Sequence, residues 1–167
     1  MSAAPDALRS RTITWADLAP DLEAMKTMSG LDYLQRLHLD RDRAPPMSRT
    51  LDFYPVGFEH GRARFEGTPA EYHYNPIGVV HGGYAATLLD SALGCAVHTV
   101  LKAGQGYTTI ELKVNFTRAL TAKTGPVTAE GTIINVGSRI ATAEARLTDR
   151  AGKLYAHGTT TCLLFPL

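Results

Sequence analysis

The chain predicts an α+β domain in which one long helix lies on a single antiparallel sheet. Three observations predict it. In the second half, residues 82–102 alone carry a long helical pattern, with Ala85, Leu88, Leu89, Ala92, Leu93, Ala96 and Val100 on one broad apolar stripe. From Tyr107 onward the pattern changes to strand-like alternation rich in Thr, Val and Ile, over residues 107–117, 127–136, 139–148 and 154–164. Short turn signals, Gly137-Ser138 and Arg150-Ala151-Gly152, separate neighbouring strands, which suits hairpins rather than crossovers.

The elements follow in order. Residues 1–12 read as a loose tail, and 15–40 as helical, with Leu18, Leu22, Met25 and Met28 on one face. Gly30 interrupts, and Leu31, Leu34 and Leu37 resume at a second helical spacing. Residues 40–47, containing Pro45-Pro46, read as a connector. Residues 51–58 and 62–68 are strand candidates forming a hairpin around Gly61. The long helix then ends near Lys102 and Gly104, a basic residue and a glycine as a helix terminus favours. The chain thus divides into an N-terminal tail and helical extension, 1–47, and one domain, 48–167.

Composition narrows the function. At 167 residues, 44% hydrophobic and 20% charged, the chain is long enough to bury a core without staples. The 17 basic residues are scattered and the net charge is +1, which argues against nucleic acid and anionic membrane surfaces as partners. Cys95 and Cys162 have no CxxC spacing, so neither a metal site nor a disulfide framework is expected. The first residues lack a basic region followed by an apolar core, and no apolar run reaches about 18 residues. A cytoplasmic protein without a membrane span is expected.

The chemistry concentrates in Asn75-Pro76-Ile77-Gly78-Val79-Val80-His81-Gly82-Gly83, which leads into the helix carrying Asp90. Glycines let a backbone approach a ligand closely, and the first amides of a helix lack intrahelical acceptors. Such N–H groups stabilise an oxygen that gains negative charge. Asp90 can act as general base or nucleophile, so the parts suit acyl transfer. At about 100° per residue Asp90 falls roughly 120° from the stripe's centre near Ala96, on a flank shared with Gly83, Gly94 and Leu101. The same position suits a solvated charge, and the glycines suit close packing. Asn75, before a proline, is a turn former or a ligand. His81 fits a loop-fixing role better than a catalytic one, while His60, His73, His98 and His157 lack ligand spacing. Cys95 reads as core, Tyr72 and Tyr74 as pocket lining or edge cover, and Thr108-Thr109 as ordinary strand residues. Gly137-Ser138-Arg139 is first a hairpin turn, although Arg139 also suits a phosphate or carboxylate.

Residues 75–90, with Thr108-Thr109-Ile110-Glu111-Leu112-Lys113-Val114-Asn115-Phe116, resemble the hotdog-fold acyl-CoA thioesterases of the phenylacetic-acid-degradation type, the PaaI-like thioesterase family. The resemblance spans about residues 50–165. It implies a hotdog fold, a long central helix wrapped by a five- or six-stranded antiparallel sheet. It also implies a homodimer or homotetramer with active sites between subunits. In the roles it implies, Asn75 and the Gly82 amide polarise the thioester carbonyl, Asp90 of a second subunit activates water or attacks, and Thr109 positions that water. His81, Gly83, Gly137, Ser138 and Arg139 become substrate-binding, the last three toward the nucleotide or pantetheine. Gly94 leaves no hydroxyl one turn beyond the acid, unlike some hotdog thioesterases. The substrate is an aryl- or medium-chain acyl-CoA, and no separate cofactor is implied. A hotdog hydratase or a non-catalytic acyl-CoA-binding module shares the scaffold.

Overall fold

A computed structural model describes residues 8–16, 22–38 and 44–167. Three short helices come first: α1 (Leu22–Thr27), α2 (Gly30–His38) and α3 (Pro46–Leu51). The hairpin β1 (Phe53–Glu59) and β2 (Arg62–Gly67) follows, then a single 3₁₀ turn over Glu71–His73. The long helix α4 (Gly82–His98) leads to β3 (Gln105–Phe116), β4 (Val127–Val136), β5 (Ile140–Asp149) and β6 (Leu154–Pro166). All strand pairs are antiparallel, in one six-stranded sheet of order β1-β2-β4-β5-β6-β3. This is the hotdog fold: α4 lies against the middle of the curved sheet.

The helix sits close because the sheet beneath it is lined by small residues. Ala63, Ala129, Ala143 and Ala145 are buried, and a Cβ added at Gly131 would lie 2.4 Å from the Ala92 carbonyl oxygen. Into this floor α4 presses Leu88, Leu89 and Leu93, all fully buried. Each such side chain contributes about 1.5–3 kcal/mol of transfer free energy. The alternation of β4 and β5 puts alanine and glycine inward and Thr128, Glu130, Glu144 and Arg146 outward.

The structure corrects the sequence reading in the N-terminal part. Residues 46–51 form α3 rather than the end of a connector and the start of a strand. Pro46 at the first helical turn starts a helix, since its missing N–H would have no partner there. Asp52, with φ of 55°, turns the chain out of α3 before β1 begins at Phe53. The helical pattern over 15–40, broken at Gly30 as expected, gives two short helices among the described residues, with Ser29 capping the second through Asp32 N–H (3.2 Å). Trp15 is exposed and non-helical, and Leu18 lies outside the described residues. The long helix stops at His98, four residues before the predicted end, where Thr99 Oγ1 donates to Ala96 O (2.6 Å). Here α2 covers the helix end: Gly30 N–H donates to Leu101 O (3.0 Å), and a Cβ on Gly30 would collide with His98 O.

Candidate active site

The segment before α4 is a closed loop. Tyr74 and Val80 bridge its base, and His81 N–H donates to His73 O (2.8 Å) below it. Asn75 organises the interior: its Oδ1 accepts the N–H groups of Ile77 (3.1 Å) and Val79 (3.3 Å), an Asx turn. Its backbone N–H also donates to Val79 O (2.8 Å). With the oxygen so engaged, the Nδ2 amide is the end of Asn75 left to meet a ligand, and it makes no hydrogen bond among the described residues. His81 caps the helix. Its Nδ1 accepts the Gly83 N–H (2.8 Å), which requires that nitrogen to be unprotonated. The Gly83 amide is therefore consumed, while the Gly82 N–H, at the positive end of a 17-residue helix, makes no hydrogen bond among the described residues. A Cβ at Gly82 would crowd the Phe116 ring, at 3.1 Å.

Asp90 lies two turns further along α4, partly buried. Its Oδ1 accepts the Thr109 hydroxyl from β3 (3.2 Å), and Thr109 Oγ1 also lies 4.0 Å from Cys162 Sγ. Behind the carboxylate is a group of weak acids, Cys162 buried and Cys95 and Tyr107 half-buried. Burial pushes the Cys95 thiol up to about 12, the negative charge of Asp90 adding to it, and burial raises Tyr107 and Cys162 as well. The Cys95 thiolate is thus disfavoured. Gly94 finds its reason here: a Cβ at that position would lie 2.9 Å from the Tyr107 hydroxyl, so the glycine makes room for the phenol.

Residues 77–156 match the thioesterase superfamily. A protein of Saccharolobus solfataricus named as an esterase is 34% identical over 114 residues, 68% of this chain and 79% of its own length. The chain belongs to the thioesterase superfamily. Mouse acyl-coenzyme A thioesterase 13 is 33% identical over 93 residues, covering 54% of this chain and 64% of that protein. A solved variant of phenylacetic acid degradation protein PaaI from Thermus thermophilus is similar in fold, with a TM-score of 0.64 and 28% identity. That match covers 71% of this chain and 98% of the other.

In this thioesterase-superfamily domain the remaining sequence-predicted residues separate by position. A cleft of about 390 Å³ opens beside Gly82, with Val80, Ala85, Phe116 and Leu120 in its wall and Arg118 among its lining residues. Gly137, Ser138 and Arg139 form an exposed hairpin turn closed by Gly137 N–H to Ile140 O (2.8 Å). Ser138 and Arg139 border a second cleft of about 340 Å³ with Gln105 and Leu163–Pro166, at the opposite end of β3 from Phe116. One chain therefore does not bring this turn to Gly82. Tyr72 and Tyr74 are engaged locally, Tyr72 with Asp52 Oδ2 (3.0 Å) and Tyr74 with Ala122 N–H (3.0 Å). His60 and His157 are exposed, and His73 and His98 are buried. Sequence reading missed the role of His73. Its Nδ1 accepts Ala70 N–H (3.0 Å), and Nε2 then donates to Leu51 O (2.9 Å). No group of three metal-binding side chains occurs among the described residues, and none of their helices is long and apolar enough to cross a membrane.

Proposed function

We propose that the chain is an acyl-CoA thioesterase that hydrolyses aryl- or medium-chain acyl-CoA, with its site completed by a second copy. The observation that carries this reading is that Gly82 N–H and Asn75 Nδ2, at the two ends of one hydrogen-bonded loop before α4, make no hydrogen bond among the described residues. Water adds to the thioester carbonyl and passes a proton to Asp90. The oxyanion rests on Gly82 N–H and Asn75 Nδ2, and its collapse breaks the C–S bond as the proton returns to the leaving sulfur. Thr109 occupies Oδ1 of the acid, which leaves Oδ2 for a single water and favours a general-base role.

One chain cannot apply both halves to one carbonyl. Gly82 and Asp90 are eight residues apart on the same helix, roughly 12 Å along its axis. The sheet offers a way round this. β3 is an edge strand of 12 residues with Ile110, Leu112 and Phe116 exposed, a surface that favours pairing with another strand. Two β3 strands paired antiparallel about Leu112 and Lys113 would set Thr109 of one copy opposite Phe116 of the other. Phe116 touches Gly82 and Thr109 touches Asp90, so each acid would approach the other copy's donors. The same pairing carries the Ser138–Arg139 cleft of one copy toward the Gly82 end of the other, where it suits the nucleotide or pantetheine. The apolar cleft beside Gly82 suits the acyl group.

The test is thiol release from a panel of aryl and aliphatic acyl-CoAs, with wild type and Asp90→Asn side by side. Hydrolysis should fall on the order of 10²–10⁴-fold in the variant, as loss of a placed base implies. Full activity in Asp90→Asn would remove the acid from the mechanism. Tight coenzyme A binding without thiol release would reassign the protein as a binding module.

A further inference from the structure

The matched family region begins at residue 77, yet residues 8–16 reach α3 and the 3₁₀ turn that precedes the donor loop. Arg11 is the centre of this contact. Its guanidinium donates to Thr50 O (2.8 Å) and Arg49 O (3.2 Å), the exposed carbonyl end of α3. The next carbonyl, Leu51 O, is taken by His73 Nε2. Three consecutive carbonyls at the end of α3 are thus tied, two by the N-terminal segment and one by the turn that precedes the donor loop. The same guanidinium lies 4.1 Å from the centre of the Tyr72 ring, a cation–π contact, while the Tyr72 hydroxyl donates to Asp52. Arg9 pairs with Glu71 on one side, and Arg49 Nε donates to Thr14 O on the other. The segment is therefore pinned at both ends across α3 and the 3₁₀ turn.

We propose that residues 8–16 form a strap and that Arg11 is a positioning residue for the oxyanion donors. The route is short. Arg11 fixes Tyr72 against α3, His73 follows Tyr72 in the same turn, and His73 O holds His81 N–H at the foot of the loop. Asn75 and Gly82 leave from either side of that clamp, so its geometry sets where their donors point. Burial and the nearby Arg11 charge both lower the His73 pKa, which keeps the neutral ring that can accept from Ala70 while donating to Leu51.

This inference rests on the proposed hydrolysis for its kinetic consequence, and the test separates the two. Arg11→Gln, Arg11→Lys and wild type are compared in the full chain by acyl-CoA hydrolysis and by amide hydrogen exchange. In Arg11→Gln, kcat should fall on the order of tenfold with KM within about twofold, as a small misplacement of donors implies. Arg11→Lys should recover part of the loss, since it restores a charge over Tyr72 and one donor. Exchange across residues 74–81, whose amides at 75 and 78 bond within the loop and at 80 and 81 to Leu120 O and His73 O, should rise on the order of tenfold while β4 and β5 stay protected. Unchanged exchange in the loop, or an equal rise throughout the sheet, would overturn the strap. If wild type hydrolyses no acyl-CoA, the hydrolytic reading fails while the exchange experiment still decides the role of Arg11.

Discussion

The two ends of the candidate site are built in different ways on one helix. At the N-terminus of α4, backbone hydrogen bonds engage the Asn75 oxygen, the His81 Nδ1 and the Gly83 amide. What is left over, Gly82 N–H and Asn75 Nδ2, is held between groups that are themselves hydrogen-bonded. Two turns on, the carboxylate of Asp90 has one side-chain hydrogen-bond partner among the described residues, Thr109, and is otherwise backed by thiols and a phenol. Donors for a developing charge gain from preorganisation, since they must not reorganise as the charge appears. A base must instead change its own charge during the reaction, and a single partner with a free second oxygen suits that. The difference separates a backbone-built half from a packing-built half.

The largest effect should come from removing one half at a time and then mixing the products. Asn75→Ala should lose on the order of 10²–10³ in kcat, as for one oxyanion donor. Asp90→Asn should be at least as impaired. When the two dead variants are mixed and allowed to exchange subunits, half the dimers are mixed ones. In each of these, one site carries both substitutions and the other carries neither. Hydrolysis should recover to about a quarter of the wild-type rate, as a two-fold site shared between chains requires. No recovery despite verified exchange would place both halves in one chain and break the geometry derived from β3.

Acid should loosen the packing-built half first. His98 is buried between Tyr33 and Tyr107, and burial pushes its pKa down to about 4 from 6.5. Between those values the unfolded chain binds a proton that the folded chain does not, so stability falls as pH drops from 6.5 toward 4. At about 1.4 kcal/mol per unit the loss reaches about 3 kcal/mol at most. His73, also lowered by burial, acts with the same sign. Urea midpoints at about pH 7 and about pH 4.5 check this, with His98→Phe expected to flatten the slope in part. An identical acid loss in His98→Phe would remove His98 from the account.

How much of this was legible in the sequence follows the same division. The long helix and the last three hairpin-connected strands were readable because period and turn chemistry are local. The Gly-Gly helix start and the Asn75 turn before it were readable as local structure for the same reason, and their role as donors is part of the proposed hydrolysis. Which glycine keeps its N–H came only through the resemblance, because it depends on where the His81 ring turns. α3 was hidden because Pro45-Pro46 breaks a helix at one position and starts one at another. The seating of Tyr107 on Gly94 and the reach of Arg11 to residues 49, 50 and 72 are tertiary contacts that no spacing encodes.

The smallest predicted effect sharpens the contrast most. Thr109→Val keeps the shape of the side chain and removes the one hydroxyl that touches Asp90. At 3.2 Å this bond is long for a hydroxyl on a carboxylate, whose usual range is about 2.5–2.7 Å. Its loss should therefore fall near the low end for hydrogen bonds to charged groups, about 1.5 kcal/mol, or roughly tenfold in rate. The change should appear in kcat with KM unaltered, because the hydroxyl orients the base and does not hold the substrate. Thr109→Ser should retain most of the activity. Full activity in Thr109→Val would mean that packing alone orients the carboxylate. A loss as deep as that of Asp90→Asn would mean that the hydroxyl holds the attacking water itself. In either case the acid end of α4 would have to be redrawn, while the donor loop, which shares no hydrogen bond with it, would stand.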